Sequence, residues 1–232
     1  MKKLPAVVLM LMLLFGCVGC AEETVESQSD LYGEVLANYY DIIADPQGRT
    51  EFTRGEFGVF EQAVNLGDAA LDTLGYVLTD LNGDGTEELL VGDFSPTEEA
   101  HIKNYISAIY THDGKQPALL LEGSTRNRYF LMEGGSLLNQ GSGSAVMTIF
   151  GECRLTKDGA IEWVDYYYTD ATDDAMTEIA FFHNTEGVVD NALSERLDMD
   201  EETFWGILEA YQGRTVKVQD TRFAQLTVDA AK

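Results

Sequence analysis

The chain is poor in positive charge. Its 232 residues carry 15 Lys and Arg against 40 Asp and Glu, a formal charge of −25. Nucleic acids are held through cations that neutralise phosphates, so this balance excludes them as general partners. Anionic lipid headgroups are repelled for the same reason unless something tethers the chain. Cysteine is scarce, with three residues in all, which excludes a disulfide framework for a domain of this size. The histidines are scattered: none of His101, His112 and His183 has a Cys or a carboxylate at zinc-ligand spacing. No G-x-S-x-G occurs; around Ser142 the chain reads Gln140-Gly141-Ser142-Gly143-Ser144. Neither a P-loop nor a G-x-G-x-x-G between strand and helix is found, and no carboxylate pair stands out among the acids. Disorder does not explain the charge, because 45% of residues are hydrophobic and 10% aromatic.

What is present begins at the amino terminus. Lys2 and Lys3 precede an uncharged run from Leu4 to Cys20. Its apolar centre, Val7 to Phe15, falls short of the roughly 20 residues that cross a bilayer, and the pattern is that of a secretory signal peptide. The run ends Leu14-Phe15-Gly16-Cys17, which resembles the lipobox of bacterial lipoproteins. That resemblance implies a signal peptide over 1–16 and a diacylglyceryl anchor on Cys17, so that the domain sits on the outer side of the cell membrane. Cys20 also follows a glycine, but Cys17 would then stand where a Leu-like residue belongs. Two acyl chains make such anchoring stable. After cleavage 13 Lys and Arg would remain against 40 acids, a charge of −27. Residues 17–30 form the lipidated acidic tether, whose Ala21 to Asp30 portion reads as a solvated spacer. Cys153 lies in the apolar run Met147 to Leu155 and reads as a small core residue.

Residues 31–232 read as one α+β domain. Leu31, Val35, Leu36, Tyr39, Ile42 and Ile43 recur at three-and-four spacing, an amphipathic helix capped by Ser29 or Asp30 and stopped at Asp45-Pro46. Gln47 to Gly58 reads as a polar loop, and a second short helix is expected over Val59 to Leu66. From Gly75 the texture changes to short apolar runs: Gly75–Thr79, Glu88–Gly92, Tyr105–Thr111, Ala118–Glu122, Arg128–Met132, Ser136–Asn139, Ala145–Leu155 and Ile161–Tyr168. Turn signals separate several of them at Asn82-Gly83-Asp84-Gly85, Asp113-Gly114, Gly134-Gly135 and Asp158-Gly159. Even spacing of this kind predicts a mainly antiparallel β-meander. A C-terminal helix is expected over Glu201 to Tyr211, capped by Asp200, with a closing strand near Thr215–Val218. Alternation places Tyr166 and Tyr168 on one face of a strand and Tyr167 on the other. They either pack within the sheet or, if exposed, stack on a sugar or peptide.

One stretch carries chemistry. Asp80-Leu81-Asn82-Gly83-Asp84-Gly85-Thr86-Glu87-Glu88 places oxygen-bearing side chains at positions 1, 3, 5 and 9 and glycine at 6. Ca²⁺ takes six to eight hard oxygens, and a tight loop can converge Asp80, Asn82 and Asp84 on one point. The Thr86 carbonyl and Glu88 would add two ligands and water the rest. Position 12 is Val91, where an EF-hand needs a bidentate Glu, and the flanking runs read as strands. The stretch therefore resembles the D-x-D-x-D-G-x-x-D calcium hairpins of FG-GAP and VCBS-type repeats, over Gly75 to Gly92 only. That resemblance implies a Ca²⁺-stabilised hairpin and nothing about catalysis; the other reading is an ordinary acidic turn. More widely, the order of lipobox, helix and calcium hairpin looks like uncharacterised lipoproteins of gut-type Gram-positive bacteria. The expectation is a non-enzymatic, lipid-anchored extracellular domain with a structural Ca²⁺, which binds a protein or glycan ligand or serves the envelope. The alternative is a cell-surface hydrolase or glycan-processing accessory.

Overall fold

A computed structural model describes residues 31–94 and 105–226. The expected signal peptide and tether, with Cys17, Cys20 and His101, lie outside the described residues. Among the described residues the chain forms an α+β domain around one sheet of 11 strands, and every strand pairing there is antiparallel. The strands are β1 Leu74–Thr79, β2 Glu88–Asp93, β3 Ile106–His112, β4 Pro117–Glu122, β5 Asn127–Leu131, β6 Leu137–Ser142, β7 Thr148–Leu155, β8 Ile161–Ala171, β9 Ile179–Asn184, β10 Glu195–Leu197 and β11 Thr221–Arg222. Their order is β10-β9-β8-β7-β6-β5-β3-β2-β1-β11, with β4 paired to β3 off this path. The meander is thus close to complete. At the turns, Gly114, Gly134, Gly135 and Gly159 all take positive φ, which costs a residue without Cβ little.

Three strands lie beyond the expected set: β9, β10 and β11. The expected closing strand at Thr215–Val218 is not one. Thr215 makes a single bridge to Met132, and β11 closes the sheet by pairing Thr221 and Arg222 with Tyr76 and Gly75 of β1.

Helix α1 spans Gly33–Ala44 and buries Leu36, Tyr39, Ile42 and Ile43, the stripe its periodicity marks. The expected caps Ser29 and Asp30 lie outside the described residues; the helix's N-cap is Tyr32, with no side-chain cap. The Tyr32 ring is instead fully buried, and its hydroxyl donates to the Glu87 carbonyl at 2.9 Å. Pro46 has no N–H to extend the helix, and Asp45 accepts from Gly48 N at 3.1 Å.

Helix α2 runs Glu56–Leu66 and begins three residues before the expected Val59, inside the expected loop. Gly55 turns the chain into it at φ 87°. The Glu56 carboxylate reaches back to Thr53 N at 2.7 Å and accepts from Asn38 Nδ2 at 2.8 Å. The short α3, Ala70–Thr73, leads into β1.

Helix α4, Glu201–Gln212, starts where expected: Asp200 Oδ1 accepts from Thr203 N at 2.8 Å. Asp200→Ala is expected to cost about 1 kcal/mol, read as a lower urea midpoint with unchanged slope. An unshifted midpoint would show that α4 is held by its apolar face alone.

Alternation distributes the core to both sides of the sheet. Leu89 and Val91 join the cluster under α1 and α2, while Leu90 joins Ile109, Leu137 and Cys153 on the other side. Cys153 is a free, fully buried core thiol, and burial pushes it up to about 12. Phe150, Phe204, Leu208 and Tyr211 form a third cluster that seats α4. The tyrosine run packs within the sheet. Tyr166 and Tyr168 are buried with Phe182, while Tyr167 stacks on Phe150 at 5.2 Å on the opposite face.

Candidate functional site

The nine-residue stretch Asp80–Glu88 is the connection between β1 and β2. Gly83 and Gly85 stand at φ 72° and 92°, which lets the chain coil around the Asp80 carboxylate. Asp80 Oδ1 accepts from Gly83 N at 2.7 Å and Asp84 N at 3.2 Å, and its Oδ2 accepts from Gly85 N at 3.0 Å. Asn82 Oδ1 accepts from Asp84 N at 3.0 Å, and Asp84 Oδ1 accepts from Thr86 N at 2.7 Å. Each of these side chains therefore steers an amide two to five residues downstream. Carboxylate and amide oxygens have two lone pairs each, so acceptor capacity remains for a hard cation.

Two contacts from distant strands complete the loop. Asn82 Nδ2 donates to the Thr156 carbonyl at 2.9 Å, pinning the loop to the β7–β8 turn, and to Asp84 Oδ2 at 3.0 Å. Glu88 is wholly buried beneath the loop: its Oε2 accepts from Leu81 N at 3.0 Å and its Oε1 from Thr111 Oγ1 of β3 at 3.0 Å. The expected ligands Asp80, Asn82, Asp84, Thr86 and Glu88 all fall in this one loop, while Thr111 and Thr156, which bond to it, lie far along the chain and carry no local signal.

The electrostatics of the loop are divided. The N–H of Thr86 leads in holding the Asp84 carboxyl below the usual carboxylate range. Burial, reinforced by Asp84 and Asp80, pushes the Glu88 carboxyl above it, against the hydrogen bonds from Leu81 and Thr111. A cation at the loop would relieve that repulsion.

Among the described residues no three of His, Cys, Asp or Glu converge as a metal-holding group. The loop offers a mixed donor set of carboxylates, an amide oxygen and a backbone carbonyl, which suits a hard cation and not zinc. Beside Asp80, Asn82 and Gly83 opens a cavity of about 550 Å³, closed on its far side by Met132 to Gly135 and Val216. Gly135 approaches the loop so closely that a Cβ there would meet the Leu81 carbonyl oxygen at 2.4 Å.

A second polar group lies where α4 meets the sheet. Asp165 of β8 accepts from Tyr211 Oη at 2.7 Å, and its other oxygen lies 2.8 Å from His183 Nε2 of β9. Arg214 makes two hydrogen bonds to Glu152, at 2.7 and 3.2 Å. Burial and the Asp165 charge push the Tyr211 hydroxyl far up. The Tyr211 bond ties α4 to β8, the Arg214 bonds tie the residues just after α4 to β7, and the His183 contact joins β9 to β8. His112 accepts from Gly114 N at 3.1 Å in a hairpin turn and sits edge-on to Tyr32.

No protein-family model matches the chain, and no curated protein matches it. A solved structure described as a Xanthomonas type IV secretion system related protein is similar over 54% of this chain and 58% of its own, at 18% identity and a TM-score of 0.31. A likeness at that level carries no argument about the site.

Proposed function

We propose that the chain is a non-enzymatic, lipid-anchored extracellular domain whose β1–β2 loop takes a structural Ca²⁺ ion, and that it works by binding a partner. The observation that carries the calcium reading is the Asp80–Glu88 loop. Three oxygen-bearing side chains wrap it at alternate positions while a buried Glu88 is repelled by Asp80 and Asp84. Asp80, Asn82, Asp84, the Thr86 carbonyl and Glu88 would hold the ion, and the ion would supply charge neutralisation. The anchor rests on the lipobox-like Leu14-Phe15-Gly16-Cys17. Among the described residues no helix is long and apolar enough to cross a membrane.

Calorimetry of the full mature chain in Ca²⁺ and in EGTA tests the loop. At ten times its dissociation constant the ion is expected to add about 1.4 kcal/mol, a rise of roughly 3–6 °C for a domain of this size. Asp84→Ala should melt identically in both buffers. Equal melting of the unaltered chain in Ca²⁺ and EGTA would sink the calcium reading. Labelled palmitate incorporation, lost in Cys17→Ala and kept in Cys20→Ala, tests the anchor separately.

A further inference from the structure

We propose that the β8–β10 end of the sheet is a docking surface for a cationic segment of a partner protein that carries apolar side chains among its Lys and Arg residues. The first observation is where apolar surface is exposed. Eight large hydrophobic side chains are exposed among the described residues, and five of them, Met176, Ile179, Val188, Val189 and Leu193, fall between residues 176 and 193. Met176 and Leu193 are each 60% exposed. Met176 stands on the β8–β9 turn and Val188, Val189 and Leu193 on the β9–β10 loop, which lies over the Tyr168 face, whereas Ile179 shares the opposite face with Phe181. Several exposed apolar side chains at one end of a sheet are what an interaction surface presents.

The segments that display these side chains are held by specific bonds. Tyr168 Oη lies 2.9 Å from both Asn191 Oδ1 and Ser194 Oγ. Asn184 Nδ2 donates to the Val188 carbonyl at 2.8 Å. Gly187, at φ 69°, lies so close to the Trp163 indole that a Cβ would overlap it. Asn191 Nδ2 also donates to Asp170 Oδ2 at 3.1 Å, and Asp170 pairs with Ala180, next to Ile179. The β9–β10 loop is thereby tied to the β8–β9 hairpin that carries Met176 and Ile179. Apolar groups on a pre-ordered frame lose little entropy when they are covered.

The second observation selects the occupant. From Asp170 to Asp198 the chain carries eight Asp or Glu and one Arg or Lys, Arg196. A surface of that sign repels a second copy of itself, anionic lipid and nucleic acid, and attracts and orients a cationic partner. The sheet also ends here. Strand β10 spans three residues and pairs only with β9, and at the part of β9 that β10 leaves uncovered Ala180 is buried and Ile179 exposed. A cationic segment would meet this end of the sheet through its side chains, the apolar ones on Met176, Val188, Val189 and Leu193 and the cationic ones on the acidic rim.

This surface deepens the partner-binding reading and lies apart from the calcium loop, so the assay is run in Ca²⁺ and in EGTA. The probe is a synthetic peptide alternating lysine with valine, followed by fluorescence anisotropy against the full mature chain. Expected are saturable binding equal in both buffers, and a loss of about tenfold, equivalent to about 1.4 kcal/mol, in the exposed-site variants Leu193→Ser and Val189→Ser. Glu34→Gln and Asp41→Asn on α1, at the other end of the sheet, should bind unchanged. A lysine–serine peptide should bind about tenfold more weakly than the lysine–valine one. The proposal is overturned by equal binding of the two peptides, by full affinity in Leu193→Ser and Val189→Ser, or by binding that needs Ca²⁺. Leu193-dependent dimerisation of the chain alone in sedimentation would overturn it too, because the occupant would then be a second copy.

Discussion

Replacing Phe150 with alanine is expected to cost about 3–5 kcal/mol and to loosen α4 before the rest of the domain. The Phe150 ring is wholly buried in β7 and meets Tyr167 at 5.2 Å, Phe204 at 5.0 Å and Tyr211 at 6.4 Å. Phe204 and Tyr211 belong to α4, so one side chain of the sheet supports both ends of the helix. Removing it leaves a cavity on that seam, and the polar bonds of Tyr211 and Arg214 remain at one end only. Urea unfolding gives the magnitude, and amide exchange gives the place: α4 should exchange faster while α1 does not. Uniform exchange would mean that the cavity is shared by the whole domain. Phe57→Ala, at a ring that is half exposed, should stay within about 0.5 kcal/mol.

Glu88 is expected to separate the effects of protons and calcium. Its carboxyl is raised by burial and by Asp84 and Asp80, so its ionised form burdens the folded state. That burden is greatest above the raised value and is relieved as pH falls through it toward the ordinary 4.5. Glu56 has the opposite sign. Burial would raise it, but bonds from Thr53 and Asn38, with Arg49, outweigh burial and hold it low. Its stabilisation is present above the ordinary value and is lost as pH falls through the lowered one. The difference between the unaltered chain and Glu88→Gln therefore isolates Glu88.

The glutamine can accept from Leu81 N and donate to Thr111 Oγ1, so it should keep the fold, flatten the acid-side gain and blunt stabilisation by Ca²⁺. Glu88→Ala leaves Leu81 N without its buried acceptor and should cost about 1–3 kcal/mol. Urea midpoints at pH 5 and pH 7, with and without Ca²⁺, decide the matter. Parallel pH profiles for the unaltered chain and the Glu88→Gln variant would show that the buried carboxylate is not what the loop strains against.

Much of this fold is legible from local pattern. Eight strands and three helices stand within a few residues of where apolar spacing and turn glycines place them. The failures have specific causes. Thr215–Val218 alternates as a strand does, yet it meets the sheet at a single bridge and Val216 stays exposed. Strands β10 and β11 span three and two residues, too few to show a period. Helix α2 begins early because Glu56 draws its stabilisation from Asn38 and Arg49 of the preceding elements, not from its own apolar stripe. In the loop, the spacing of Asp80, Asn82, Asp84 and Glu88 is readable, while the anchors Thr156 and Thr111 become neighbours only once the sheet exists.

The strand order also sets a timetable. The edge of β1 is covered by β11, and Arg222 beside it donates to the Thr73 carbonyl 149 residues back along the chain. Strand β1 thus keeps one side bare until residues 221 and 222 have emerged. During that interval the nascent chain offers an uncovered strand to any neighbour, and a chaperone that shields it must let go only when β11 arrives.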